Sequence, residues 1–316
     1  MRLAALLFIA LSAWGAEPPM DAPAIMKKMA ANSDAATEAR RQYVYHQRIR
    51  SSLRKGDGQI VCRESREYDV VPQPKNTEKK LTSFSGACMQ GRQMVPYSPP
   101  ARTRPGVREK GTGQDHDPSD GERETILGVI DSLANDSKSR DGIARELFPL
   151  SAEEQIHYRF SLKGETTVKG RRTYEILFEP GEPKNGTCID VGDDDSESHL
   201  HVDLHAEEHD RTECRPWKGE AWVDAEDFQP VRIDTQLSKG VPWAVRVLMG
   251  INIRQLGFSL NYQRVAPGVW FPATYGTEFR IMAFWAFKRT ITLAMENSDF
   301  RKTDAQSTVE FESPDK

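Results

Sequence analysis

The sequence predicts a mainly β, α+β protein: a curled antiparallel half-barrel sheet with helices covering its concave face. Three observations predict it. Apolar and polar residues alternate with a period of two through most of the C-terminal half, the pattern of strands buried on one side only. Short Gly- and Asp-rich turns, not long crossovers, separate those strands. Two stretches with helical spacing, "ETILGVIDSLAND" and "RDGIARELFPL", are available to lie over the apolar side that such a sheet must cover. A sheet with this many strands should curl.

Taken in order, residues 22–41 read as a helix, with Pro23 in its first turn and a narrow apolar face of Ile25, Met26 and Met29. The period then changes. Tyr43, Tyr45 and Ile49 share one side of a strand, "RKGDGQ" turns, and "IVCRESREYDVV" returns. "KKLTSFSGACMQGRQMV" supplies one or two more strands, broken at Gly86 and Gly91. A Pro/Gly/charge-rich loop of about 97–121 follows. Then come the two helical stretches, with Ile126, Leu127, Ile130 and Leu133 on one face.

From Ile156 the alternation is clear: Ile156, Tyr158, Phe160 and Leu162, then Tyr174, Ile176 and Phe178 after the turn "TVKGRR". "WKGEAWVDAEDFQPVRIDTQL" reads as strand, Asp-rich turn, strand. Asp224 and Asp227 fall in that turn, where Asp is ordinarily structural. Phe258, Leu260 and Tyr262 line the next strand. Phe271, Tyr275, Phe279 and Ile281 line a long one after it. Trp285, Phe287, Ile291, Leu293 and Met295 line the last, with Arg289 interrupting.

The opening residues, "MRLAALLFIALSAWGAEPP", have the charged start, apolar run and small residues of a secretory signal peptide, with cleavage expected after Gly15 or Ala16. Domains are thus expected as a signal peptide over 1–16 and a single domain over 17–316. No later apolar run is long enough to form a membrane helix; the strongest, "GVPWAVRVLMGI", is short and carries Arg246. The four cysteines then lie in an exported chain, and an even count in an oxidising compartment suggests disulfides. The local pairings Cys62–Cys88 and Cys188–Cys214 close loops of similar length and are preferred among the three possible sets. A four-cysteine zinc site is the weaker alternative, because no C-x-x-C spacing occurs. The formal net charge of −4, with scattered Lys and Arg, argues against a nucleic-acid partner.

Three segments resemble the LolA/LolB-like family of periplasmic half-barrel proteins, and most nearly its uncharacterised acidobacterial outer membrane lipoprotein-sorting-like members. They are "FSLKGETTVKGRRTYEILFEP", "GEAWVDAEDFQPVRID" and "NYQRVAPGVWFPATYGTEF". The first is similar to a G-x-x-x-V-x-G-R hairpin through Gly164, Val168, Gly170 and Arg171. The second resembles a G-x-x-W-[VI]-D strand with Pro230 and Arg232 on its return, and the third a G-x-W-[FL]-P strand through Gly268, Trp270, Phe271 and Pro272. The resemblance runs from about Tyr43 to Phe300. It implies a non-enzymatic protein that binds acyl chains of lipids or lipoproteins for outer-membrane sorting, with no catalytic residues and no cofactor. The alternative within the same fold is an envelope-stress sensor or interaction protein with a membrane-bound partner.

The cavity wall for acyl chains is expected at Phe258, Leu260, Tyr262, Phe271, Tyr275, Phe279, Trp285 and Phe287. Each of these residues is equally an ordinary core residue when taken singly. Apolar burial alone would supply affinity, about 0.8 kcal/mol per methylene.

The loop of about 183–216, flanked by Cys188 and Cys214, departs from the family pattern. It holds four of the seven histidines, His199, His201, His205 and His209, among many carboxylates. "HAEEH" has the H-x-x-E-H spacing of a zinc peptidase, which would make the chain a metal-dependent hydrolase. Such a site needs a packed helix and a third ligand, and this short, very polar stretch offers only Leu200, Val202 and Leu204 for apolar contact. A divalent metal held without catalysis fits the ligand types better. A solvated acidic loop is the simplest reading of all. Zinc titration of a His205→Ala/His209→Ala variant is therefore expected to match the parent; a marked loss of affinity would make the loop a metal site.

Overall fold

The first and last of the described strands lie side by side in the middle of one sheet, so segments far apart in the sequence hold its halves together. The structure is a computed structural model and describes residues 20–72, 77–98, 148–181, 217–238, 252–254, 256–283 and 287–303. Helix α1 spans Ala22–Arg40 and the single turn α2 spans Ala152–Gln155. The strands are β1 (Tyr43–Lys55), β2 (Ile60–Pro72), β3 (Thr77–Gln90), β4 (Gln93–Tyr97), β5 (Tyr158–Val168), β6 (Arg171–Pro180) and β7 (Trp217–Asp224). They continue as β8 (Pro230–Leu237), β9 (Asn252–Arg254), β10 (Gly257–Ala266), β11 (Val269–Ala283) and β12 (Phe287–Lys302). The order is β4-β3-β2-β1-β12-β11-β10-β8-β7-β6-β5, with β9 paired to β11 beyond the end of β10. This is the open, curled antiparallel sheet expected from the alternation, with β4 and β5 as its edges among the described strands.

The turns follow from their residues. Lys169 and Gly170, both at positive φ (51° and 78°), form the two-residue link between β5 and β6. That geometry matches the right-handed twist of the strands it joins. Pro267 and Gly268 (φ 70°) make the corresponding turn before β11. Cys62 and Cys88 are direct register partners on β2 and β3 and form a disulfide.

Helix α1 begins at Asp21, whose Oδ1 accepts the Ala24 N–H at 2.9 Å. Its buried residues, Ala22, Ile25, Met26, Met29, Ser33, Ala36 and Arg40, recur at helical spacing and make one face. That face touches β5 at the sheet edge and β11 at its centre. Gln155 of α2 donates to the carbonyls of Met26 and Pro149, which ties the start of α1 to the strand that follows.

The other end of α1 is fastened where the β5–β6, β7–β8 and β10–β11 turns meet. Arg171 grips Asp224 through both Nε and Nη2, the latter at 2.9 Å, and reaches Glu226 at 3.0 Å. Asp224 also accepts the N–H groups of Glu226 and Asp227, which fixes the turn. The Arg171 guanidinium stands over the Trp270 ring, and Trp270 Nε1 donates to Asp227 at 3.0 Å. From the helix, Asn32 donates to the Asp227 carbonyl and Arg40 to the Trp270 carbonyl, each at 2.8 Å. The three family-like segments thus converge on one clasp, Arg171 from the first, Asp224 and Asp227 from the second, Trp270 from the third.

Some expectations change or fall elsewhere. Ile156 is 77% exposed and belongs to the turn after α2, where the His157 N–H bonds back to Glu154; the alternation starts at Tyr158. Tyr97 is the last residue of β4, not the first of a loop, because Gly86 opposite it leaves room for its ring. The described cover of the sheet is α1, at residues read as helical but not assigned that role. Outside the described residues lie the signal-peptide segment, the loop from 99 on, the helical stretches of 124–147, and the 183–216 loop with Cys188, Cys214 and the four histidines.

Burial alone would raise the Asp224 carboxyl. The hydrogen bonds from Arg171 and from the Asp227 and Glu226 backbone outweigh it and hold the group below its ordinary range. A carboxyl depressed on folding stabilises the protein above its unfolded value, near 3.9, and that gain is lost as pH falls through the lower folded value. The urea midpoint of the wild type should therefore drop on acidification below about pH 4. Asp224→Asn should be less stable at neutral pH, by about 2–3 kcal/mol, and should show a smaller drop. An identical acid limb in the variant would mean that the clasp contributes nothing to it.

Candidate functional site: the inner face of the sheet

Register places the apolar side chains in continuous rows across the strands. One row passes Leu162, Ile176, Ala221, Ile233, Leu260, Tyr275, Met295 and Ile49, each the cross-strand partner of the next. Ile176, Ala221, Ile233 and Leu260 have no exposed surface, and Tyr275, Met295 and Ile49 have almost none. The adjacent row passes Phe160, Phe178, Gly219, Thr235, Phe258, Thr277, Leu293 and Ser51. Small residues alternate with rings here for a steric reason. A Cβ at Gly219 would meet the Phe178 ring and the Asp234 carbonyl, so only glycine lets the ring lie flat on the sheet.

The rows change character beyond β1. The first continues to Arg66 and Phe84, the second to Glu64, Gly86 and Tyr97. Arg66 and Glu64 form a buried ion pair at 2.5 Å, and the Tyr97 hydroxyl donates to Glu64 at 2.6 Å. Lys79 of β3 lies near the Tyr68 ring, and desolvation lowers its ammonium to about 8. The inner face is therefore apolar from β5 across β12 to β1 and carries paired charge on β2 to β4.

Two atoms in the apolar part stand out. Tyr275 is 2% exposed, stacked on Phe258 at 5.7 Å between centroids and edge-on to Phe148 at 6.3 Å. Among the described residues its hydroxyl has no hydrogen-bond partner, and burial pushes the phenol well above its ordinary value. It is thus a neutral O–H donor. Gln47 of β1 is fully buried. Its Nε2 donates to Asn297 at 3.0 Å, and Asn297 passes the chain on to the Pro272 carbonyl at 2.8 Å, but Gln47 Oε1 accepts from none of the described residues. The register sets the two residues two strands apart, with β12 between them, and two positions offset, about 12 Å between their backbones. A buried polar atom without a partner costs about 1–3 kcal/mol, so a donor and an acceptor left open on one apolar face are sites that a ligand group can satisfy.

Of the expected wall, Phe258, Leu260, Tyr262, Phe271 and Tyr275 are buried together. Phe271 packs on Tyr43, Tyr45 and Phe300, at the clasp end. Phe279 and Phe287 lie on β11 and β12, with Phe279 opposite Ile291, and their side chains are outside the described set, as is all of Trp285. Gln47 was missed. A glutamine flanked by His46 and Arg48 reads as surface, and only the period-two count from Tyr43 and Tyr45 could have placed it inside. Among the described residues no group of His, Cys, Asp and Glu is arranged to hold a metal ion, and no helix is long and apolar enough to cross a membrane.

No family model and no curated protein matches the sequence. Among solved structures, the chain is similar to a LolA superfamily protein from Nitrosomonas europaea, at 13% identity and a TM-score of 0.32, over 90% of this chain and 94% of that one. It is also similar to a putative outer membrane lipoprotein-sorting protein domain from Vibrio parahaemolyticus, at 11% identity and a TM-score of 0.28, over 89% and 95%. The lipoprotein LppX of Mycobacterium tuberculosis matches at 10% identity and a TM-score of 0.29, over 91% and 99%. The first of these bears the name of the family that the three segments resemble. At such scores the likeness carries no argument about function, which rests on this chain's own residues.

Proposed function

We propose that this chain is a non-enzymatic, exported carrier that holds the acyl chains of a lipid or lipoprotein against the inner face of its sheet. The observation that carries the reading is the open pair of hydrogen-bonding atoms, the Tyr275 hydroxyl and Gln47 Oε1, set in an otherwise apolar surface. An acyl chain has the complementary make-up. Its methylenes take the apolar rows, and the carbonyl oxygen at its head accepts from Tyr275. An N–H or O–H beside that carbonyl donates to Gln47. Burial of methylenes supplies the affinity, and the polar pair sets the depth at which the chain head stops.

Delipidated protein should take up a fluorescent fatty-acyl probe; no uptake would sink the carrier reading. Tyr275→Phe should weaken binding about five- to tenfold, the size of one net hydrogen bond, while leaving the ligand-free protein as stable as before. Competition of the probe by a diacyl phospholipid and by an acylated peptide separates the two sources of the acyl group.

A further inference from the structure

We propose that the end of the sheet opposite the clasp, formed by the β1–β2 hairpin and the adjoining ends of β11 and β12, docks on an anionic phospholipid surface. The register gathers cations there. Lys55 pairs with Arg289, which pairs with Ile281; Arg54 pairs with Thr290, which pairs with Arg280. Arg63 lies opposite Ser52 on the neighbouring strand. Gly56 of the hairpin turn packs so closely on Lys288 that a Cβ would stand 2.9 Å from the lysine Cβ. The hairpin tip and the start of β12 are therefore one surface. Four cations, Arg54, Arg63, Arg280 and Lys288, lie on the outer side of this end with the carboxylates Asp57 and Glu278 among the described residues, and Lys55 and Arg289 flank them on the inner side.

Two features separate this end from the rest of the outer face. Elsewhere several of the cations are paired: Arg48 with Glu67, Arg50 with Glu296, Arg232 with Asp234, Lys163 with Glu175 and Glu220. Here Arg54, Lys55, Arg63, Arg280 and Lys288 form no ion pair with the described residues, and Arg54, Arg63, Arg280 and Lys288 are exposed. Among them stands Ile60, the register partner of Arg54 and 37% exposed. The other exposed large hydrophobics, Ile156 and Leu162, lie around the β5 edge. Unpaired cations around an exposed aliphatic side chain suit a membrane interface. The cations meet lipid phosphates, and the isoleucine enters at the headgroup level. A chain of formal net charge −4 is repelled as a whole from such a surface, so local excess charge would also orient its approach.

The test is flotation of the full exported chain with vesicles of phosphatidylglycerol and phosphatidylcholine, against phosphatidylcholine alone. Binding is expected on the anionic vesicles only, and should weaken as sodium chloride shortens the screening length. An Arg54→Glu/Arg63→Glu/Lys288→Glu variant should lose at least a hundredfold, taking about fivefold per cation. The same reversal at Arg301 and Lys302, exposed at the opposite end of β12, should leave binding near the parent value. No binding to anionic vesicles, equal binding to phosphatidylcholine, or equal loss in both variants would overturn the proposal. Acyl-probe uptake is measured separately, so a failure of the carrier reading and a failure of membrane docking are told apart.

Discussion

The ion pair between Arg171 and Asp224 holds the position of nearly everything else. Asp224 is fully buried at the end of β7, where a lone carboxylate would be costly. Its partner arrives from the β5–β6 turn, and its remaining lone pairs are taken by the backbone of its own turn. That turn then presents Asp227 to Trp270 and its carbonyl to Asn32. One salt bridge therefore sets three hairpins and a helix relative to one another. Because α1 is bonded to main-chain carbonyls at this point, its apolar face is held over β5 to β11 without needing strong complementarity along its length.

With the clasp at one end, the inner face divides. The side from β5 to β12 is built from rings and aliphatic residues interleaved with Gly219, Thr235 and Thr277, which keep the surface even. The side from β2 to β4 holds the Glu64–Arg66 pair with Tyr97 and is cross-linked at Cys62–Cys88. The Tyr275 hydroxyl and Gln47 oxygen lie on the apolar side of this boundary, where no described residue hydrogen-bonds to them.

The ends of the sheet differ as the faces do. At the clasp, charges neutralise one another within hydrogen-bond distance. At the hairpin end Arg54, Arg63, Arg280 and Lys288 are exposed and form no ion pair with the described residues. The separation matters for a carrier, since a molecule that both holds an acyl chain and approaches a membrane benefits from a fixed direction of approach.

What the sequence determined by itself is what depends on local period and turn chemistry. Apolar alternation through Phe258, Leu260 and Tyr262, the Lys169–Gly170 and Pro267–Gly268 turns and the capped start of α1 all follow from neighbours a few residues apart. Together they specify an antiparallel sheet with one apolar face. The local pairing of Cys62 with Cys88 was legible for the same reason, since the two strands are consecutive. Ile156 was misplaced because periodicity cannot show where a strand begins after a single helical turn. The tertiary structure alone decided the contacts between distant segments. Arg171 finds Asp224 across 53 residues and Trp270 finds Asp227 across 43, by way of strand order and register. Gln47 is inside because β1 pairs with β12, the far end of the chain, and Lys288 joins the β1–β2 hairpin for the same reason. Residue spacing carries the period of a strand; only the folded sheet determines which strand lies beside it.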